Sequence, residues 1–409
     1  MINLSKKIDS IKGFSVSVTS VGIKKHGRPD LALLDCYSPS RLAGVFTSNS
    51  LPAAPVTVCR DNLVNLSKPS RLALIINSGC ANACTGKDGL IDCLRVSDSV
   101  ASALNIERKS VFPFSTGVIL ERLPVEKMLL SIDDLAGNKN RSASWRDLAT
   151  AIMTTDSFPK FISKQIVLSG RIVNILGIAK GSGMIHPNMA TMLAFILTDV
   201  ELSFQDLQLL VKDTVKVSFN SISVDGDMST NDSFVAISNS MSGIKVSSSS
   251  LSEKKDWNIF KKNFMQIGLE LAELIVSDGE GATKLIKIEI SGAVSYEEAC
   301  RVGESVSNSP LVKTAFFAGD PNLGRILSAI GASEIEGLDL NKINVSINDY
   351  LVIQSGLLAR DYSEIKAKNL MSLEEINLSI DLGRGKACGK YMTCDLSYDY
   401  IKINAEYRS

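Results

Sequence analysis

The chain has 409 residues, 45% hydrophobic and 22% charged, ordinary proportions for a globular protein with room for two or three domains. Its 44 Lys and Arg balance 44 Asp and Glu, so the net charge is zero and no basic face recommends nucleic acid as a partner. No apolar run reaches the roughly 18 residues of a membrane span, and the opening Met-Ile-Asn-Leu-Ser-Lys-Lys lacks the apolar stretch of a secretion signal, which reads as a cytoplasmic protein. The eight cysteines then read as free thiols. None forms a Cys-x-x-Cys pair, and Cys80-x3-Cys84 has no second pair or nearby histidine to complete a metal site, so no metal is expected.

Strands and helices are interspersed throughout, which gives an α/β (α+β) class. Residues 71–76 read as a buried strand that ends in a loop over 77–86. Residues 111–115 read as a second strand leading to a Thr116-Gly117 turn, whose successive N–H groups and hydroxyl are what an oxyanion hole requires. A small-residue loop, Lys180-Gly-Ser-Gly-Met-Ile-His-Pro-Asn-Met-Ala190, then runs into the apolar Thr191-Met-Leu-Ala-Phe-Ile-Leu-Thr-Asp199. Thr191 would head a buried strand. Were the Ala190–Thr191 bond broken, the new α-amine would lie beside the hydroxyl it must deprotonate, with a reference pKa of about 7.7–8.0. Only two histidines exist, His26 and His186, a scarcity that favours a mechanism needing none; His186 reads as a loop or rim residue. Gly181-Ser182-Gly183 lacks the spacing of a nucleotide loop and reads as a flexible turn.

Ser203 opens an amphipathic helix, with Asp206 three residues on and Phe204, Leu207, Leu210, Val211 and Val215 on one face. Asp225-Gly-Asp-Met-Ser-Thr-Asn-Asp232 is rich in oxygen ligands without the spacing of a calcium loop, and reads as local Asx and Ser/Thr turns. Phe260, Phe264, Ile267, Leu271 and Leu274 predict a long helix stopping near Gly279. From Leu285 the texture changes: 285–290, 343–347, 376–380 and 398–403 alternate like half-exposed strands. The expected division is a catalytic domain over 1–285 and a C-terminal α/β domain over 286–409.

Ten blocks in one order carry a resemblance that spans nearly the whole chain. Among them are Gly44-Val-Phe-Thr-Ser-Asn49, Asn77-Ser-Gly-Cys-Ala-Asn-Ala-Cys-Thr-Gly86, Ser115-Thr-Gly-Val-Ile119 and Thr154-Thr-Asp-Ser-Phe-Pro-Lys160. The others include the 179–193 segment, Val224-Asp-Gly-Asp-Met-Ser-Thr-Asn-Asp232, Asp278-Gly-Glu-Gly-Ala-Thr-Lys284 and the terminal Ile403-Asn-Ala-Glu-Tyr-Arg-Ser409. Together they resemble the ornithine acetyltransferases, or glutamate N-acetyltransferases, of arginine biosynthesis. The resemblance implies a precursor that cuts itself at Ala190–Thr191 into an α-chain 1–190 and a β-chain 191–409. It implies Thr191 as acyl acceptor, Thr116 and Gly117 as the oxyanion pair, and Thr154, Lys180, Thr191, Glu280, Asn404 and Ser409 as substrate-binding positions. The implied fold is the layered α/β sandwich of self-processing N-terminal-nucleophile enzymes with a smaller C-terminal α/β domain, and the implied assembly is an α2β2 heterotetramer.

The implied reaction is ping-pong: N2-acetylornithine acetylates Thr191, ornithine leaves, and glutamate takes the acetyl group. One amide replaces another, so no cofactor is needed, although acetyl-CoA could serve as a second donor. The same nucleophile would serve a related self-processing aminopeptidase or amidase, and an uncleaved chain would be an amino-acid-binding protein. Two positions depart from the family pattern. Leu120 stands where glycine is usual, beside the oxyanion turn, and Leu323 where tryptophan is usual. The first is expected to alter local backbone or pocket geometry, the second only packing.

Overall fold

A computed structural model describes residues 11–23, 27–66, 68–137, 143–186 and 192–406. Two compact units emerge. The first takes 1–181, 188–216 and 228–271; the second takes 182–187, 217–227 and 272–409. Among the described residues no helix is long and apolar enough to cross a membrane.

In chain order the elements begin β1 (Ser15–Thr19), β2 (Leu31–Phe46), α1 (Ala54–Asn65), β3 (Ser70–Cys80), α2 (Gly86–Leu104), β4 (Val111–Val118), α3 (Val125–Ala136) and α4 (Trp145–Ala151). They continue β5 (Lys160–Leu168), β6 (Arg171–Lys180), β7 (Leu193–Thr198), α5 (Phe204–Val217), β8 (Ile222–Ser223), β9 (Ser233–Ser238) and α6 (Lys254–Ser277). The sheet of the first unit runs β4-β3-β2-β9-β7-β6-β5, with β1 on β2. β2 serves two neighbours because it breaks register between Cys36 and Ser40, around Pro39, which has no N–H to give a ladder. Its first half pairs with β3, its second with β9.

The period of two sorts the side chains between two cores. Leu31, Leu33, Ala73 and Ile75 turn to α2 and α3, where Val96, Val100, Met128 and Ile132 meet them. Ala32, Leu34, Leu72, Leu74 and Ile76 turn the other way, onto Leu176, Ile178, Phe195 and Val235 from β6, β7 and β9. The two halves of the sheet therefore face each other, and Phe114 of β4 meets Phe195 of β7 edge to face at 5.1 Å. Beyond β6 lies α6, with Phe260, Phe264, Ile267 and Leu271 fully buried as their spacing predicts. A Cβ on Gly177 would lie 2.3 Å from Ile267 Cγ2 and 2.8 Å from Leu271 Cδ1, so only glycine lets this helix lie directly on β6. The layers run helix, sheet, sheet, helix: the expected sandwich.

The second unit continues β10 (Leu285–Ala293), α7 (Tyr296–Asn308), α8 (Pro310–Ala318), α9 (Leu323–Gly331), β11 (Asn344–Ile347), β12 (Tyr350–Gln354) and β13 (Leu357–Leu358). It ends with α10 (Glu364–Met371), β14 (Glu375–Asp381), β15 (Ala387–Cys394) and α11 (Tyr398–Ala405). Its sheet runs β13-β12-β11-β14-β10-β15-β8. Ile286, Ile288 and Ile290 share one core with Val302, Val306, Phe316 and Ile330 from the helices. Leu323 also joins this core, so its departure from the family pattern is a matter of packing.

Four expectations are corrected. The strand read over 71–76 continues to Cys80, because β4 alongside supplies parallel partners as far as Val118. Thr116 and Gly117 consequently lie in a strand, not in a turn after it. Residues 398–403 form helix α11, not a strand; Tyr400 and Ile403, three apart, are the half-buried pair, a spacing the short apolar run satisfies as readily as alternation. Phe204 is 39% exposed at the helix start, while Leu207, Leu210 and Val211 are buried. The second compact unit also takes in two segments from before residue 285. β8 pairs in parallel with β15 and carries 217–227 into the second unit, a two-residue strand too short to leave a pattern.

Replacing Gly177 with valine should force α6 off β6 and cost about 1–3 kcal/mol or more. Urea unfolding checks this as a lower midpoint at an unchanged slope.

Candidate active site

Four strands of the first unit bring a row of residues to one end of the sheet. Lys180, the last residue of β6, pairs with Leu193 at the head of β7. Leu193 pairs with Ser233 at the head of β9, and Ser233 with Phe46 at the end of β2. Side chains and loops at this end are tied down by buried carboxylates and one amide.

Asp156 is the first of these. Its Oδ1 accepts from Lys160 Nζ and from Gly181 N, both at 2.7 Å, and its Oδ2 accepts from Thr154 N at 2.9 Å. Both Lys160 and Lys180 are buried. Burial alone would raise the Asp156 pKa. The Lys180 and Lys160 ammoniums and the two Oδ1 hydrogen bonds overturn that and hold it far below the usual carboxylate range.

Asn231 is the second tie. Its amide donates to Ala81 O at 2.7 Å and to Ser115 O at 2.9 Å, holding the end of β4 and the loop after β3 to the segment that leads into β9. Just beyond Ser115 the β3–β4 ladder slips, with Cys80 opposite both Thr116 and Val118. Gly117 sits there at φ 134°, and a Cβ on it would lie 2.2 Å from Gly79 C. Only glycine can occupy this position.

Asp232 is the third. It is fully buried, and its Oδ1 accepts from Met192 N at 2.8 Å. Burial pushes its carboxyl well above the usual range, against the pull of the Met192 N–H, the Lys180 charge and the Thr47 hydroxyl.

The second unit holds its own constellation. Asp225 accepts from Met184 N at 2.6 Å and from Ile185 N at 2.9 Å, with Met184 in the left-handed region at φ 55°. The Tyr400 hydroxyl donates to Asp225 Oδ2 at 3.3 Å. The Asn404 amide donates to Glu280 Oε2 at 2.8 Å, and Glu280 N donates to Ser182 O at 2.8 Å. Burial, with the Asp225, Asp227 and Glu280 charges, pushes the Tyr400 phenol up. His186 reaches Glu304 Oε1 at 3.5 Å and is partly exposed, a rim residue as expected.

The sequence signature of the ArgJ family matches residues 15–409. The chain belongs to the ArgJ family. It is 43% identical to the arginine biosynthesis bifunctional protein ArgJ of Neisseria gonorrhoeae, with 100% of each chain covered. It is 42% identical to the protein of that name from Colwellia psychrerythraea, over 98% of this chain and 96% of that one. The solved arginine biosynthesis bifunctional protein argJ of Bacillus halodurans is 36% identical over 52% of this chain and 98% of its own, with a TM-score of 0.49. As a member of the ArgJ family the protein is an acetyltransferase of arginine biosynthesis.

Of the residues singled out in the sequence, Thr116, Gly117, Thr154 and Lys180 belong to the first unit, and Glu280 and Asn404 to the second. The first unit links Thr154 and Lys180 through Asp156; the second joins Glu280 directly to Asn404. Ala190, Thr191 and Ser409 lie outside the described residues. Asp156, Asp225, Asn231, Asp232 and Tyr400 were not singled out individually, although all but Tyr400 fall inside quoted blocks. The available signal was an acid two residues from Thr154 and an acid at each end of the 225–232 segment. Leu120 sits in the left-handed region at φ 70°, with its N–H on Ala83 O at 3.0 Å and its side chain 67% exposed. A leucine in this conformation costs strain, and its side chain faces solvent.

Asp156→Asn should cost about 3–5 kcal/mol by leaving buried lysines without their carboxylate. The folded pKa lies below the unfolded value of about 3.9, so the contribution is complete above that value and is lost as pH falls beneath it. Urea melts between pH 7 and 3 should therefore show a weaker acid dependence in the variant. Leu120→Gly should raise stability by up to about 1 kcal/mol, the relieved strain exceeding the added chain entropy, read as a higher Tm.

Proposed function

We propose that the precursor cuts itself between Ala190 and Thr191, and that the mature enzyme carries an acetyl group on Thr191 from N2-acetylornithine to glutamate. The observation that carries this reading is the register of Lys180 opposite Leu193, two residues after Thr191 in the chain. A strand that follows the new N-terminus directly is thereby paired with a strand ending in a buried cation.

In the cutting step, Thr191 Oγ attacks the Ala190 carbonyl carbon and the Thr191 nitrogen leaves, taking up the hydroxyl proton. Water then hydrolyses the ester, giving an Ala190 carboxylate and a free Thr191 amine. In the transfer, that amine takes the proton as Thr191 Oγ attacks the acetyl carbonyl of N2-acetylornithine. Thr116 and Gly117 hold the tetrahedral oxyanion. Ornithine leaves with the proton, the glutamate amine attacks the acetyl-Thr191 ester, and the C–Oγ bond breaks to release N-acetylglutamate as Thr191 Oγ regains its proton.

Lys180 is assigned to a substrate carboxylate, with Thr154 beside it through Asp156. Glu280, oriented by Asn404, is assigned to the ornithine amine. Ser409 completes the substrate set at the end of the chain. No cofactor is required, acetyl-CoA is a second acetyl donor to test, and the α- and β-chains assemble as α2β2 in the cytoplasm.

Intact mass under denaturing conditions tests the first step. The 44.1 kDa chain should yield two species, ending at Ala190 and starting at Thr191, that sum to the parent plus one water. Thr191→Ala should stay whole and lose transfer by several orders of magnitude. A cut and active Thr191→Ala protein would sink the mechanism. Wild-type enzyme loaded from N2-acetylornithine should pass its acetyl group to glutamate far faster than to water.

A further inference from the structure

Helix α11 carries Asn404, yet none of its side chains is fully buried. Eight residues are too few for a helix to hold itself in water, so its place depends on ties to the rest of the second unit. Four such ties are present. The Tyr398 ring meets Phe317 edge to face at 5.5 Å. Ser397 Oγ donates to Gly281 O at 2.6 Å. The Tyr400 hydroxyl donates to Asp225 Oδ2 at 3.3 Å, and the Asn404 amide donates to Glu280 Oε2 at 2.8 Å.

The first two act at the start of the helix. The Tyr400 tie differs because its partner is already fixed. Asp225 accepts from the backbone N–H groups of Met184, Ile185 and Asp227, so three bonds hold its carboxylate independently of the phenol. Asn404 follows Tyr400 by four residues, on the same face of the helix, and its amide also donates to Tyr400 O at 3.0 Å. What fixes Tyr400 therefore fixes the amide that meets Glu280. The fit is close: a Cβ on Gly281 would lie 2.5 Å from Tyr400 N, so the helix rests directly on the backbone next to the buried Glu280. A small displacement of the helix would move the donor that sets the direction of the Glu280 carboxylate.

We propose that Tyr400 is a positioning residue for substrate selection: its hydroxyl on Asp225 seats α11 so that Asn404 turns Glu280 toward the side-chain amine of N2-acetylornithine. Tyr400 itself transfers no proton and touches no reacting atom. The proposal rests on the assignment of Glu280 to that amine, and adds to it a residue outside the set that the resemblance implies.

The discriminating substrate is N2-acetylnorvaline, which has the carbon chain of N2-acetylornithine without the terminal amine. Preference is the ratio of kcat/KM for N2-acetylornithine to that for N2-acetylnorvaline, measured on the full enzyme with glutamate as acceptor. Glu280→Gln should lower this ratio about 100-fold. Tyr400→Phe removes one oxygen and keeps the ring. It should lower the ratio about tenfold, the scale of one hydrogen bond to a charged group, mainly through a higher KM for N2-acetylornithine. Both substitutions together should lose no more than Glu280→Gln alone, because Tyr400 acts through Glu280. A Tyr400→Phe enzyme with the wild-type ratio overturns the role of Tyr400, even if both rates fall, since a merely structural loss spares the ratio. Additive losses in the double variant overturn it too. A Glu280→Gln enzyme with undiminished preference sinks the assignment of Glu280 beneath the proposal, an outcome distinct from these.

Discussion

Everything at the Lys160 and Lys180 end of the first unit's sheet depends on burying positive charge without unfolding the strands that carry it. Lys160 opens β5 and Lys180 closes β6, and the antiparallel pairing of these strands sets both lysines at the same end of the sheet. An ammonium taken out of water costs several kcal/mol unless a partner offsets it. Asp156 is that partner, and it does more than balance charge. Its remaining acceptor capacity is spent on the backbone N–H groups of Thr154 and Gly181, so the loop before β5 and the loop after β6 are fixed by the same two oxygens. Electrostatic balance and loop geometry are one interaction here. Losing the carboxylate would release both.

The 225–232 segment repeats this economy with different atoms. Local turn bonding does occur, from Asp227 N to Asp225 Oδ1 and from Asn231 N to Ser229 Oγ. Its long-range bonds matter more. Asp225 takes the N–H groups of Met184 and Ile185, Asn231 holds the end of β4, and Asp232 holds the head of β7. A stretch of short polar side chains suits this task because each reaches only its immediate surroundings and loses little rotamer freedom when buried.

Long periodic elements were legible because one physical effect dominates them. The 24-residue α6 and the alternating β10 announce themselves through apolar spacing alone. Thr191 as nucleophile and Thr116 with Gly117 as oxyanion pair are proposals read from chemistry carried by adjacent residues. Illegible were the features made by strands meeting at a distance. Asp156 becomes a buried counter-ion only because β5 and β6 pair, and β8 joins its sheet through two residues. Tyr398 to Ile403 failed for another reason: in so short a run, alternation and helical spacing predict nearly the same apolar positions. What Leu120 does is set by a backbone angle, which no composition reveals.

The interleaving of the two compact units has one more implication. A cut between Ala190 and Thr191 would leave each unit built from both products, since the first contains 1–181 with 188–216 and 228–271, and the second contains 182–187 with 217–227 and 272–409. Neither product could depart without dismantling the sheet of the first unit, which takes β1 to β6 from one and β7 and β9 from the other, so the mature pair would be held by topology more than by a separable interface. Folding before the cut is a first-order event within one chain. Refolding after it would require two chains to find each other, and would slow with dilution. Endurance in the mature enzyme would then be kinetic, set by how rarely it opens more than by how readily it returns.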